Sequence, residues 1–225
     1  MSFDSAIKAL SLDALKFVKD DHVIGLGSGR AASTFVKTLS RFVKTQSSKI
    51  KCVPTSTQIK LVAEKGNLPL IEVDQVEYID VVFDGADQID KNKYLIKGGG
   101  GALLRENILM SLAKKVVIIA EKTKFVNNFN RSVPVEVHPL ARNIVRKNVT
   151  KIGGESVLRS LDRGYPFVTE NGNIILDCNF GQIKNPKSLQ QKILQIPGVI
   201  EVGIFTKKPD IIYKAKINGK FDILT

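Results

Sequence analysis

Apolar residues recur along the chain at two periods, and the alternation between them predicts its elements. Residues 5–19 place Ala6, Ile7, Leu10, Ala14, Leu15 and Val18 at helical spacing, an apolar stripe on an otherwise polar helix. Residues 22–26 form a short continuous apolar run, as expected of a strand covered on both faces, and Gly25, Gly27 and Gly29 break its end. Residues 31–43 read as a helix, 51–53 as a strand closed by Pro54, 57–65 as a helix ended by Gly66, and 70–73 as a short strand. IDVVF at 79–83 is a further buried strand that runs directly into Asp84-Gly85-Ala86-Asp87. Four glycines at 98–101 precede a helix over 102–113, and 116–120 is another apolar strand. Strands alternating with helices over short connections predict an α/β fold with a doubly wound, mostly parallel sheet.

After about residue 130 the pattern changes. A strand at 133–137 and a helix at 139–148 precede PFVTENGNIILDC, in which Asn171-Gly172 separates two alternating runs. Asn-Gly supports the positive backbone angles of a tight hairpin turn. A helix at 186–194 and a strand at 198–205 complete what reads as a small α+β unit, and the last stretch folds back as a hairpin at Asn218-Gly219. The expected organisation is a main domain of residues 1–129 and 206–225, with 130–205 as a smaller inserted domain.

Composition narrows the classes. With 225 residues, 43% of them hydrophobic, the chain can build a sizeable core. No apolar run approaches the roughly 20 residues that span a bilayer. The N-terminal stretch lacks the basic start and apolar middle of a secretion signal, so a cytoplasmic protein with no membrane partner is expected. The net charge of +12 fits either nucleic acid or an anionic substrate on a lysine-rich surface. The lysines are scattered, with no basic tail and no Trp, which favours the surface reading and a phosphorylated small molecule over nucleic acid. Cys52 and Cys178 are too few for a disulfide scaffold or a zinc site and read as buried thiols. His22 and His138 leave little material for a metal centre or a Ser/His/Asp triad, so neither metal nor other cofactor is expected.

Three motifs follow predicted strands and should gather at the carboxyl edge of the sheet, where such folds take ligands. The first is Gly25-Leu26-Gly27-Ser28-Gly29-Arg30 before a helix. It lacks the third glycine of a dinucleotide fingerprint and a clear acid about 20 residues on. It reads either as a monophosphate cradle at a helix N-terminus or as a plain tight turn. The second is Asp84-Gly85-Ala86-Asp87 with Asp90. Asp84 and Asp87 suit the holding of hydroxyls and the exchange of protons; helix capping by Asp87 or a metal site are the alternatives, the metal disfavoured by nearby lysines. The third is Lys97, the glycines 98–101, and Glu106 on the following helix among Ala102, Leu103, Leu104, Ile108 and Leu109. Four consecutive glycines sacrifice chain entropy and suggest close approach to a ligand. A carboxylate in partly apolar surroundings can serve as a base, whereas an ordinary exposed helix glutamate is the alternative. Lys122 or Lys124, after the strand 116–120, could reach the same edge.

Taken together, GLGSGRAASTF (25–35), PTSTQ (54–58), DGADQID (84–90), KGGGGALLREN (97–107) and Lys124 resemble the type A family of ribose-5-phosphate isomerases. VEVHPLA (135–141), NGNIILD (171–177) and IPGVIEVGIF (196–205) resemble later segments of that family in the same order. The resemblance implies a Rossmann-like sheet domain with a small α+β, ferredoxin-like lid, assembled as homodimers or homotetramers. It implies interconversion of ribose 5-phosphate and ribulose 5-phosphate through a cis-enediolate, with Glu106 as base, Asp84 and Asp87 binding hydroxyls and assisting ring opening, and Lys97 beside the enediolate. Ser28, Gly29, Arg30 and Ala31, the segment Asp84, Gly85, Ala86 and Asp87, then Lys97, Gly98, Gly99 and Gly100, and finally Lys124, match substrate-binding positions. Arg30 and Ala31 depart from the hydroxyl residues common there, Gln88 from a glutamate and Glu121 from an aspartate. The alternatives from other classes are an amino-sugar phosphate isomerase-deaminase, a sugar-phosphate-sensing regulator, which normally carries a helix-turn-helix segment not found here, and a nucleotide-binding oxidoreductase.

Overall fold

The computed structural model describes residues 3–225. In chain order its first elements are α1 (Phe3–Ala14), β1 (Val23–Leu26), α2 (Gly29–Gln46), β2 (Lys51–Pro54), α3 (Thr57–Lys65), β3 (Val81–Asp84), β4 (Gln88–Ile89) and β5 (Leu95–Ile96). Next come α4 (Leu103–Leu112), β6 (Val116–Glu121), β7 (Val133–Val137), α5 (Arg142–Lys151), β8 (Glu155–Leu158) and β9 (Ile174–Asn179). The last are α6 (Pro186–Leu194), β10 (Val199–Val202), β11 (Ile204–Phe205), β12 (Ile211–Ala215) and β13 (Phe221–Leu224). Contacts divide the chain into two compact units, one of Met1–Ala86, Arg105–Lys124 and Pro209–Thr225, the other of Asp87–Leu104 and Phe125–Lys208.

The first unit is a six-stranded sheet in the order β13-β12-β6-β3-β1-β2. Every neighbouring pair is parallel except β12 and β13, whose antiparallel hairpin turns at Asn218-Gly219. Alternate residues of the central strands face opposite helical layers. Ile24 and Leu26 of β1 join Phe35, Val36 and Leu39 of α2, Leu10 of α1 and Ile59 of α3 in one core, and Phe35 stacks on Phe83 of β3 with ring centroids 3.9 Å apart. Gly25, pointing the other way, leaves room for Val82 of β3 and Leu109 of α4. Each such large apolar side chain contributes about 1.5–3 kcal/mol when fully buried. The strand order reverses at β1, with β2 on one side and β3 on the other. The carboxyl ends of β1 and β3 therefore border the switch-point crevice where open α/β sheets take ligands.

In the second unit β7, α5, β8, β9, α6 and β10 form an antiparallel sheet in the order β10-β7-β9-β8, the ferredoxin-like succession. Val133, Val135 and Val137 of β7 pack with Val145 and Val149 of α5 and Ile193 of α6. A three-stranded sheet, β11-β5-β4, belongs to the same unit.

Several expectations change. The helix foreseen to residue 19 stops at Ala14 and continues as a 3-10 turn, Leu15–Phe17. Residues 70–73 make only a single bridge, Leu70 to Cys52. The continuous strand expected over 198–205 splits at Gly203 into β10, paired with β7, and β11, paired with β5. A side chain at Gly203 would strike the Lys97 and Pro134 carbonyls, so only glycine permits this crossing. The first arm of the Asn171-Gly172 hairpin is likewise a single bridge, Val168 to Ile174, although the turn itself forms. The strands β4, β5 and β8 are too short or too polar to have shown a period. Their pairing explains why residues 87–104, expected with the main sheet, cluster with the second unit instead.

Cys52 in β2 and Cys178 in β9 are buried and free; burial pushes both thiols up to about 12, with Asp177 adding to the effect at Cys178. Among the described residues no helix is long and apolar enough to cross a membrane, and no group of three His, Cys, Asp or Glu side chains stands ready to hold a metal ion.

Candidate active site

In the first unit the chain leaves β1 through Gly27 and enters α2 at Ser28. Ser28 is extended (φ −103, ψ 169) and holds the N-cap position, yet its side chain makes no cap hydrogen bond. A serine there ordinarily satisfies one of its own helix's free N–H groups. Its hydroxyl instead donates to Glu106 Oε1 at 2.6 Å, and its N–H donates to Asp84 Oδ1 at 3.2 Å. The Gly85 N–H reaches the same Asp84 oxygen at 2.7 Å. One residue thus joins the end of β3 to the first turn of α4. Asp84 is 0% exposed and Glu106 3%, so the exposed-helix reading of Glu106 does not hold. Burial of a carboxylate is expensive unless polar groups replace the lost water, and these donors do so.

The glycines serve this arrangement. A Cβ at Gly27 would fall on the Asp84 carboxyl group, so its absence admits the carboxylate against the backbone. Gly29 has φ +86 with open space around it; conformation rather than room demands glycine there. Beyond it lie the free N–H groups and positive dipole end of the 18-residue α2, a favourable place for an anion. Arg30, 72% exposed, pairs with Glu121 at the end of β6. Two positions that depart from the family pattern are therefore partners. Ala31 is half-buried in the first turn of α2, and Lys124 is half-buried in the 3-10 turn Lys122–Lys124 after β6.

The second unit holds the other candidates. Asp87 does not cap a helix: its Oδ2 accepts the Gly99 N–H at 2.8 Å, and its carboxylate fills the space that a Gly99 side chain would need. Asp84 and Asp87, expected as a pair, fall in different compact units. Lys97 is 3% exposed, and its N–H donates to Gly203 O at 2.9 Å. Gly98 (φ +97) and Gly101 (φ +84) bracket a turn closed by the Gly101 N–H on Gly98 O at 3.0 Å, leaving Gly99 and Gly100 exposed. Asp90 accepts the N–H groups of Asn92 and Tyr94 and is a turn-former. Gln88 holds Asn130 and the Arg131 N–H.

Sequence reasoning missed Arg159, whose guanidinium reaches the carbonyls of Gly98 and Gly99. Its only signal was an arginine ending an otherwise apolar run, SVLR.

A buried carboxylate tied to a hydroxyl beside a second acid, at a switch point with a helix N-terminus, can trade protons with a small anionic molecule. That places the chain among α/β enzymes of proton transfer. The model of the ribose 5-phosphate isomerase A (phosphoriboisomerase A) family matches residues 51–219, and the chain belongs to this family. Ribose-5-phosphate isomerase A of Trichodesmium erythraeum is 38% identical over 212 residues, 92% of this chain and 90% of that protein. The solved ribose 5-phosphate isomerase A of Methanocaldococcus jannaschii superposes with a TM-score of 0.92 at 35% identity, covering 99% of this chain and 98% of the other. A solved D-ribose-5-phosphate isomerase in complex with phospho-erythronic acid gives 0.95 at 36% identity, covering 100% and 99%.

Proposed function

We propose that Glu106 is the base with which this chain, an isomerase of ribose 5-phosphate and ribulose 5-phosphate, moves a proton between C1 and C2. The substrate opens to the aldehyde. Glu106 takes the C2 proton, the electron pair left behind forms a C1–C2 double bond, and the carbonyl oxygen becomes the enediolate oxygen. Glu106 then returns the proton to C1 while the C2 hydroxyl proton passes to the oxygen on C1, leaving a carbonyl at C2 and giving the ketose. Lys97 and the N–H groups of Gly98 and Gly100 stabilise the developing negative charge, where preorganised donors contribute most; the Gly99 N–H is held by Asp87. Asp84 and Asp87 hold sugar hydroxyls and carry the hydroxyl proton. The segment 28–31 and Lys124 receive the phosphate end. No metal or nucleotide enters the scheme. The chain acts in the cytoplasm, in the non-oxidative pentose phosphate pathway, as a homodimer or homotetramer, which light scattering on the purified protein would check.

One observation carries this reading above the others: the Ser28 hydroxyl, 2.6 Å from the nearly buried Glu106, also sits in the residue whose N–H holds Asp84. The test is conversion of ribose 5-phosphate in deuterated water, with label expected in the sugar at C1 or C2. Glu106→Gln should keep the circular dichroism spectrum and lose about 10³-fold in kcat. Turnover by that variant near the normal rate would remove Glu106 from the mechanism.

A further inference from the structure

The glycine turn after Lys97 is gripped from behind. Arg159 follows β8, and its own backbone is fixed by the Arg159 N–H on Ile175 O at 2.8 Å and by the Phe167 N–H on Arg159 O at 2.9 Å. Its Nε and Nη2 form a two-pronged pair with Asp177 of β9, at 2.9 and 2.5 Å. The remaining Nη1 donates to Gly98 O at 2.7 Å and to Gly99 O at 3.1 Å. In a trans peptide the C=O and N–H point in opposite directions. Fixing these two carbonyls therefore fixes the planes that carry the Gly99 and Gly100 N–H groups. Asp87 takes the first, and no hydrogen bond among the described residues takes the second. Four glycines in a row would otherwise let those planes rotate.

We propose that Arg159, held by Asp177, is the positioning residue that aims the Gly100 N–H at the enediolate oxygen; this rests on the isomerase reading above. The requirement is for a guanidinium. It spends one edge on the carboxylate and keeps another donor for the carbonyls, a division that an ammonium, a compact point charge, cannot reproduce in the same geometry. Phe167 supports the far end of the turn, since a side chain at Gly101 would collide with its ring. A cavity of about 380 Å³ lined by Gly99, Arg131, Ser132, Pro134, Arg159 and Asp177 opens beside the guanidinium, large enough to admit a small guanidinium ion once the side chain is removed.

The experiment compares Arg159→Lys and Arg159→Ala with the wild type and with Glu106→Gln. The expected result for Arg159→Lys is a kcat lowered about 100-fold, the scale of a misplaced reacting group. Its KM should stay near wild type, because the lost interaction belongs to the transition state. Affinity for phospho-erythronic acid should fall further than affinity for a phosphorylated sugar that cannot enolise. Guanidinium ion at non-denaturing concentration should restore part of the Arg159→Ala rate and none of the Glu106→Gln rate. A folded Arg159→Lys with wild-type kcat, or losses of kcat that merely track the fraction unfolded with no rescue, would overturn the assignment. Full activity of Glu106→Gln would instead overturn the underlying reading, so the two failures are distinct.

Discussion

Two glutamates, one in each compact unit, are almost wholly removed from water: Glu106 is 3% exposed and Glu136 is 0%. Their surroundings differ in kind. Oε1 of Glu136 collects Thr169 Oγ1 at 2.9 Å, Asn171 Nδ2 at 3.0 Å and Asn173 Nδ2 at 2.9 Å. All three donors come from the hairpin turn around Gly172, so the carboxylate knots that turn to β7. Oε1 of Glu106 meets a serine hydroxyl on a different secondary element, at the mouth of a switch-point crevice. Glu136 also meets a hydroxyl, but Thr169 Oγ1 is itself taken up by the turn, accepting the Asn171 and Asn173 N–H groups. Burial alone therefore does not mark a functional acid. The origin of the donors and the place in the fold separate the carboxylate that ties a turn from the one proposed as the base.

The comparison yields a graded set of tests. Its sharpest form sets stability against activity in the two glutamates. Glu106→Gln should lose about 10³-fold in kcat while its urea midpoint stays near wild type. Glu136→Ala should do the reverse, because two buried donors and one half-buried donor lose their acceptor. A loss of about 3 kcal/mol is expected, read from urea unfolding, with normal kcat per folded molecule. Similar behaviour of the two variants would erase the distinction. Next, Ser28→Ala removes a hydrogen bond to a charged group, about 1.5–3 kcal/mol. It should lower kcat/KM by about 10- to 100-fold, read from steady-state kinetics.

The smallest effect is expected at Asp80, just before β3. Burial pushes its carboxyl up, but the Val23 N–H, the Lys114 ammonium and the neighbouring His22 outweigh that and hold it below the usual 3.8. A depressed carboxyl stabilises the fold above its unfolded value, and that contribution is lost as pH falls through the folded one. Asp80→Asn should therefore be less stable than wild type at neutral pH, with the gap closing below about pH 4. A gap unchanged down to pH 3 would show that Asp80 acts through shape alone.

Much of the architecture was legible in the chain. The continuous apolar runs at β1, β3 and β6 predicted strands covered on both faces, and the Asn218-Gly219 turn its hairpin, because these signals are local. The split at Gly203 was not legible, since nothing in IPGVIEVGIF announces that its two halves join different sheets. The four glycines before α4 suggest close approach to a ligand, and those before α2 either a phosphate cradle or a tight turn. At Gly27 and Gly99 what comes closest is an aspartate of the chain itself. Glu136 had a signal that went unused: a lone acid within VPVEV and an asparagine-rich turn to meet it.

The sequence by itself determined the doubly wound class, the glycine turns and the acids beside them, because backbone conformation and hydrophobic period act over a few residues. Which acid meets which donor was decided only on folding. Ser28 and Glu106 lie 78 residues apart, and Arg159 lies 61 from Gly98. Such pairs exist because strand order and helix packing carry distant segments to one place, and no local pattern records where a side chain will find its partner.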